Sequence, residues 1–513
     1  VTGPDRDVDH DDTESRFQST GPAAMLRRAA MRWPARIALH YGVLRWTYAE
    51  LDLLVDQTAA RYQALGVAAG DTAVLLMANR PEYLIAQLAL ARVGVASATP
   101  NPHWTHAELG PALAAVEPEW VVIEDRFAST TKPYRRLPLP LLNAEAGIPE
   151  PTEPMLTADH VIYLPFSSGT TGVPKAVLHT VFSLNSGIEQ LVHHLGLTEV
   201  DRLQLALPLC HLFGTVMSAA GFSVGATMTL FERFDLDECL NHVERDGVTV
   251  LPIAGTVAYQ LAQRSDLEMR NLSSLRYFMW GGSAVPIALA TEITQRTGIG
   301  FLCSYGMTEA ISVACNPVED PAQWSLQSPG FPTRGVEWRL SRLHDGVGEL
   351  HIKTPSLARG YANTSGTAWL PDGWFDTGDI AQISSAGRLF IVDRKKDILK
   401  VTGFQVSPVE VERTLQAHLQ VKDCGVIGVD DDRLGQAIVA FVVPVRAHPA
   451  IDVADLEAWM ATRLARYKQP RRYVVVDDVP RTTSGKLQRM LLRERGNALE
   501  SSTKARNDQI RSH

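Results

Sequence analysis

Ser167-Ser-Gly-Thr-Thr-Gly-Val-Pro-Lys175 follows the apolar run Val161-Ile-Tyr-Leu164 and packs four hydroxyls, two glycines and a lysine into nine residues. A loop of this composition at the end of a strand offers backbone N–H groups, hydroxyl donors and a cation to polyphosphate oxygens. It is not a Walker loop, because no Gly-Lys-Ser/Thr stands at the required distance from a glycine. A Ser/Gly-rich loop taken alone is ordinarily a solvated turn, so its meaning depends on what surrounds it. Upstream, Thr47-Tyr-Ala-Glu50 forms a capping box, in which the hydroxyl and the carboxylate satisfy each other's orphan backbone donors. Leu51, Leu54, Val55, Tyr62 and Leu65 then recur on one helical face, and Gly66 stops the helix. A strand-like run at 73–77, a helix pattern from Pro81 to Val93 closed by Gly94, and further runs at 120–123, 161–164 and 203–207 follow. Short apolar runs alternating with amphipathic helices predict an α/β fold with largely parallel sheets.

The pattern changes at Asp393-Arg-Lys-Lys-Asp397, a charge cluster of the kind found at exposed linkers. A second capping box, Ser407-Pro-Val-Glu410, places Pro408 at the first helical position. Strand runs at 425–429 and 437–445 and a helix over 455–466 complete a small α+β unit. The expected organisation is therefore an acidic tail at 1–18, a large domain of sheets layered with helices at 19–392, a hinge at 393–397, a small mobile domain at 398–496 and a polar tail at 497–513.

Composition narrows the function. The 513 residues are 45% hydrophobic and 21% charged, with a net charge of -8. That balance does not fit non-specific binding to nucleic acid or to an anionic membrane. Five scattered cysteines without a Cys-x-x-Cys pair fit neither a disulfide framework nor a structural zinc site. No apolar run is long enough to span a bilayer. The expectation is a cytoplasmic protein whose partners are small molecules, with a homodimer left open.

Five further motifs stand in order along the chain: Leu207-Pro-Leu-Cys-His211-Leu-Phe213, Gly281-Gly-Ser-Ala-Val-Pro286, Ser304-Tyr-Gly-Met-Thr-Glu309, Phe375-Asp-Thr-Gly-Asp379 and Arg481-Thr-Thr-Ser-Gly-Lys486. Together with the 167–175 loop and Asp393-Arg394, the set resembles the acyl-adenylate-forming superfamily in its acyl-CoA synthetase branch, including 4-coumarate–CoA and fatty-acid–CoA ligases. The resemblance covers nearly the whole chain.

It implies ATP, Mg²⁺ and coenzyme A as co-substrates or cofactors of a hydrophobic carboxylic acid (aryl, fatty or terpenoid). Ser167, Ser168, Gly169, Thr170, Thr171, Gly172 and Lys175 would hold phosphates. Ser283, Cys303, Ser304, Tyr305 and Gly306 would border adenine, Thr308 would bond the α-phosphate, and Asp379 with Arg394 would hold ribose. Glu309 would be the Mg²⁺ ligand, which suits an ion that usually takes one or two carboxylates plus phosphate oxygens and waters. Lys486 would bridge carboxylate and α-phosphate, in a reaction between two anions where positioning and cations must supply the catalysis. Lys396 and Lys400 join the nucleotide set, with Lys396 as the pivot of the hinge. Thr402, Gly403 and Gln405 would line the coenzyme A path. His211, Phe213, Gly281, Gly282, Ala310 and Val313 would shape the acyl pocket, with His211 as its gate.

The stretches assigned to that pocket hold no acid able to pair an α-amino group, and a buried ammonium needs a partner. The resemblance thus favours an apolar acid over an amino acid. Cys303, Ser304 and Thr402 depart from the 4-coumarate branch, in which Gln-Gly commonly precedes the Tyr-Gly pair and a lysine often contacts coenzyme A. Motifs of this kind do not separate acceptors. Delivery to a carrier-protein thiol or an amine stays open beside coenzyme A, as does retention of one half-reaction only. Richness in Ala and Arg suits a high-GC bacterium, and the resemblance leaves a place in secondary metabolism open.

Overall fold

The structure is a computed structural model that describes residues 21–496, except 168–173, 254, 283–284, 286, 345, 363–367, 403, 432–433, 446–450 and 482–486. Two large sheets carry the first two-thirds of it. One has seven strands and is built around the parallel series Trp120–Ile123, Thr72–Leu76, Ala96–Thr99 and Val161–Ser167. The other has nine, with a parallel centre from Thr227–Leu230 through Arg202–Leu205, Val250–Ile253 and Tyr277–Trp280 to Phe301–Met307, and antiparallel strands at both edges. The predicted runs at 120–123 and 161–164 fall on these strands, and those at 73–77 and 203–207 overlap Thr72–Leu76 and Arg202–Leu205, overrunning them at Met77 and at Ala206 and Leu207.

The helix Pro81–Arg92 is buried at every position. A helix apolar all round belongs in a core rather than on a surface, and one hydrophobic cluster joins it to residues of both sheets. Its terminal Arg92 is 1% exposed and is neutralised by Asp52 and by Asp56 at 2.6 Å, as a buried guanidinium must be.

The capping box at the start of the helix Tyr48–Ala64 is complete. Thr47 N–H donates to Glu50 at 2.8 Å, and Glu50 N–H donates to Thr47 Oγ1 at 3.2 Å. Leu51, Leu54, Val55 and Tyr62 are buried, whereas Leu65 is 46% exposed because the helix ends at Ala64. The second box is only half formed. Ser407 Oγ accepts from Glu410 N–H at 3.2 Å, but the Glu410 carboxylate is taken by Lys468 at 2.7 and 2.8 Å. A charge-assisted pair outcompetes a return bond to a neutral N–H.

A four-stranded antiparallel sheet of Glu337–His344, Val347–Lys353, Phe375–Ile383 and Leu389–Arg394 comes next, which the alternation of helix and strand did not foretell. Beyond it lies a smaller five-stranded sheet with its own core, which takes in Leu399–Val401, Phe404–Val406, Val421–Asp431, Gly435–Pro444 and Arg472–Val475. The helices Pro408–Gln416 and Val453–Ala461 belong to this smaller unit. Among the described residues no helix is long and apolar enough to cross a membrane.

Candidate active site

Thr308 and Glu309 form the tip of a tight hairpin, since Met307 pairs with Ala310 across the strands Phe301–Met307 and Ala310–Cys315. The hairpin is tight enough that a Cβ on Gly306 would stand 2.2 Å from the Ile311 carbonyl oxygen, so only glycine fits there. The Thr308 carbonyl is fixed from behind by His179, whose Nε2 lies 2.8 Å away. A carbonyl can only accept, so Nε2 carries the proton, and Nδ1 faces the Ser183 hydroxyl at 3.1 Å. Burial lowers the His179 pKa to about 4, which keeps the ring neutral.

On the strand side of the hairpin, the Tyr305 hydroxyl donates to Asp379 Oδ2. Burial, and then the adjoining Asp379 carboxylate, push this phenol well above its ordinary range. Asp379 and Arg394 are directly opposed on neighbouring antiparallel strands, and Arg394 Nε reaches Asp379 Oδ1 at 2.7 Å. Asp379 is 2% exposed. An ionised carboxylate has about four lone-pair sites, and Tyr305 and Arg394 each take one.

The other flank is built by a segment that sequence reasoning passed over. Residues 357–362 run alongside both the hairpin tip and the strand after the 167–175 loop. Ala358 N–H donates to Glu309 O at 2.8 Å, and Leu178 N–H and Ala362 N–H bond Gly360 O and Ala176 O at 2.8 and 2.9 Å. This stitching delivers Tyr361, whose hydroxyl donates to Glu309 Oε1 at 2.8 Å. Lys175 Nζ stands 4.9 Å from the centre of the same ring, within range of a cation–π attraction. The loop is closed at its base by pairing of Ser167 with Lys175. A lone tyrosine in Arg359-Gly-Tyr361 carried no signal that could have singled it out.

Tyr305, Thr308, Glu309, Asp379, Arg394 and Lys175 are therefore linked through one hairpin and the strands beside it. Phe213, Gly281 and Ser304 also converge: a Cβ on Gly281 would lie 3.2 Å from Ser304 Oγ and 3.9 Å from Phe213 Cζ. Gly282 follows with φ +80°, a left-handed backbone that favours glycine. His211 occupies the N-cap of the helix Leu212–Val224. Its Nε2 is buried with no hydrogen-bond partner among the described residues, and burial lowers its pKa.

Ala310 and Val313 are fully buried in the cluster that joins this strand to Leu350, Ile352 and Phe375. Cys303 is buried in a separate cluster with Trp280 and Phe301, which raises its thiol to about 12. Lys396 and Lys400 are exposed. The neighbouring Lys395, which sequence reasoning did not choose, pairs with Glu349 at 2.8 Å and Asp376 at 3.3 Å. Thr402 holds φ +49°. Ser168, Gly169, Thr170, Thr171, Gly172, Ser283, Gly403, Lys486, the Gln405 side chain and both terminal tails lie outside the described residues.

The flanks of Lys486 are described. Arg481 and Leu487 face each other in an antiparallel bridge, and Gln488 N–H donates to Pro480 O at 2.9 Å. Arg481 forks onto Asp423 at 2.7 and 3.0 Å, and Arg489 onto Glu412 at 2.7 and 2.8 Å. Both ends of the loop are thus tied to the small domain.

Hard oxygen donors suit Mg²⁺, and Glu309, oriented by Tyr361 and standing near the Lys175 cation, is such a donor. Paired acceptors at Asp379 beside a guanidinium suit a ribose diol, so the residues present fit a magnesium-nucleotide.

Comparison with known proteins gives the family. Residues 26–362 match the AMP-binding enzyme family, and residues 410–486 match the AMP-binding enzyme C-terminal domain. The chain is 31% identical to a 2-succinylbenzoate–CoA ligase of Bacillus pumilus, over 93% of this chain and 98% of the relative. It is 30% identical to 4-coumarate–CoA ligase 5 of Oryza sativa subsp. japonica, over 87% and 89%.

Among solved structures, ATP-bound MatB from Rhodopseudomonas palustris superposes with a TM-score of 0.86 at 27% identity, covering 93% of this chain and 99% of that one. The MenE o-succinylbenzoate–CoA synthetase of Bacillus subtilis, in complex with ATP and magnesium, gives 0.81 at 29%, covering 90% and 98%. The amide bond synthetase McbA of Marinactinospora thermotolerans gives 0.83 at 26%, covering 92% and 99%. The chain belongs to the AMP-binding enzyme family, in the acyl-adenylate-forming branch of AMP-forming acid–thiol ligases.

Proposed function

We propose that the chain joins a hydrophobic carboxylic acid to ATP, releasing pyrophosphate, and then passes the acyl group from the adenylate to the thiol of coenzyme A. The observation that carries this reading is the hairpin from Tyr305 to Glu309. One side is bonded to the Asp379–Arg394 pair, and the other to Tyr361 beside Lys175. A nucleotide laid along it has ribose acceptors at one end and cation-binding oxygens at the other.

In the first half-reaction Asp379 accepts from the ribose hydroxyls and Arg394 donates to the same sugar. The Thr308 hydroxyl and the 167–175 loop orient the phosphates. Glu309 would hold Mg²⁺, which when bound offsets phosphate charge. Lys486 draws the acid's carboxylate and the α-phosphate together, both anions, so that the attack is one of positioned charges. The acid lies against Phe213 and Gly281, where the missing Cβ leaves space beside Ser304, with His211 at the mouth.

In the second half-reaction the small domain, 398–496, turns about the hinge at 393–397. The thiol then approaches past Thr402, Gly403 and Gln405. The relatives named for 2-succinylbenzoate and 4-coumarate support an aryl acid as the first substrate to try. Buried free cysteines suit a reducing cytoplasm.

Two assays over a panel of aryl, fatty, terpenoid and amino acids test the reading: acid-dependent exchange of pyrophosphate into ATP, then consumption of coenzyme A. Both should respond to an apolar acid. Exchange without coenzyme A consumption, with amide formed from an added amine, would transfer the reading to an amine acceptor. Turnover of amino acids alone would overturn the apolar pocket.

A further inference from the structure

Tyr259 lies on the helix Gly255–Ala262 of the large domain, and its hydroxyl accepts from Gln263 Nε2 at 2.8 Å, which steadies the ring. Lys422 comes from the start of the strand Val421–Asp431 in the small domain and places Nζ 4.5 Å from the centre of that ring. Both side chains are partly buried. A cation within about 6 Å of an aromatic face is attracted by the quadrupole of the ring, and more strongly as water is excluded. The contact therefore ties one domain to the other at a point far from the hinge in sequence.

The position of Lys422 on its strand shows which end of the small domain is tied. Its neighbour Asp423 holds Arg481 at 2.7 and 3.0 Å, at the base of the loop that carries Lys486. At the other end of the strand Asp431 pairs with Gly435, and Gly435 pairs with Val401, next to Thr402. Extended chain rises about 3.3 Å per residue, so Lys422 and Asp431 stand roughly 30 Å apart. The end turned toward the helix Gly255–Ala262 is thus the one that anchors the Lys486 loop. The residues proposed for the coenzyme A path lie at the far end.

We infer that Lys422 and Tyr259 are positioning residues, a clasp between the domains that seats the base of the Lys486 loop for adenylation and opens before the thiol step. The inference rests on the proposed two-step reaction. Neither residue belongs to the sets that hold nucleotide, metal or acid, so the pair acts through Asp423 and Arg481 on the placing of the loop. One contact of this kind shifts an equilibrium by about 2–5-fold. That is enough to favour the docked arrangement and small enough to be broken in every turnover.

The test uses the full chain with donor and acceptor dyes on Lys132→Cys and Glu457→Cys, two exposed positions on different domains. The five native cysteines are buried. Lys422→Met keeps the length and removes the charge, and Tyr259→Leu removes the ring. Each should move the dye-reported population away from the parent's arrangement by about 2–5-fold, and the two together no further than either alone. Lys422→Arg and Tyr259→Phe keep cation and ring and should restore the parent signal, although Tyr259→Phe loses the Gln263 bond. With an acid that supports pyrophosphate exchange, Lys422→Met should slow that exchange by the same factor and spare transfer from supplied acyl-adenylate. Should Tyr259→Leu fail to fold, Lys422→Met and Lys422→Arg carry the test. An unchanged dye signal, additive effects of the two variants, or equal slowing of both half-reactions overturns the clasp. A shifted dye signal in a chain that no acid brings to pyrophosphate exchange would keep the contact between domains and overturn the two-step reaction instead.

Discussion

Tyr361 donates its hydroxyl hydrogen to Glu309 Oε1 at 2.8 Å, across 52 residues of sequence. The bond fixes the direction in which a carboxylate on a hairpin tip presents its other oxygen, and burial followed by Glu309 pushes the Tyr361 phenol far above its ordinary range. Partners of this kind behind a metal ligand typically contribute about 10–100-fold to metal affinity or activity. Tyr361→Phe keeps the ring under Lys175 and removes only the bond. Its Mg²⁺ requirement in pyrophosphate exchange should rise by about ten-fold, with little change in thioester formation from supplied acyl-adenylate, which lacks the β- and γ-phosphates. An unchanged magnesium titration would detach Glu309 from the ion.

Lys486 and Asp379 should divide the two half-reactions differently. Loss of one electrostatic contact to developing charge typically costs about 10²–10³ in rate. Lys486→Ala should show that loss in adenylation and keep thioester formation from supplied acyl-adenylate. Asp379→Ala should weaken both, because ribose persists through both. Rapid-quench measurement of each half separates them, and equal damage from Lys486→Ala would remove its special place in the first.

Arg489 stands three residues after that lysine and forks onto Glu412, with both side chains nearly buried. Removing one partner of a buried pair ordinarily destabilises by about 3–5 kcal/mol. Burial lifts the Glu412 carboxyl to about 7 even with Arg489 pulling it down. Arg489→Ala removes that pull and lets Glu412 hold its proton to higher pH. The variant's deficit in unfolding free energy should therefore be small at pH 6 and large at pH 8.5. A deficit independent of pH would mean that the fork matters for packing alone.

His179 makes the opposite prediction. Its folded pKa of about 4 lies below the ordinary 6.5, so the unfolded chain binds the extra proton first. The stabilisation is complete above pH 6.5 and is lost as pH falls towards 4, a change of at most about 3 kcal/mol. His179→Gln retains a donor for Thr308 O and does not titrate. Its melting temperature should fall less than the parent's between pH 7 and pH 4.5, and parallel curves would show that the ring is not held neutral.

Most of the fold was legible because the signals were local. Strand runs such as Trp120–Ile123 and the Thr47–Glu50 box depend on residues a few positions apart. The antiparallel sheet of residues 337–394 was not: its strands carry the period-two alternation of a half-buried sheet, but no helices separate them, so the repeat of strand and helix that marks the first part of the chain does not reach them. The Ser407 box failed in half for a tertiary reason, the arrival of Lys468 from 58 residues away. At the site, Tyr305, Glu309, Asp379 and Arg394 sit in recognisable strings. Tyr361 and His179 act through hydrogen bonds to residues more than 50 positions distant, and nothing in their immediate neighbours announces that.

The strand Leu389–Arg394 ends on two residues that serve different masters. Arg394 grips Asp379, while Asp393 accepts from Ser407 Oγ and from Val409 N–H at 3.1 Å, which anchors the first helix of the small domain. Successive residues of a strand point to opposite faces, so the two grips share a backbone but not a side. A pivot beyond Asp393 must break the Ser407 and Val409 bonds and need not touch Asp379. Under the proposed rotation the small domain would be released while the proposed ribose pair stays made, so that holding the adenylate and exchanging domain faces would be mechanically independent steps.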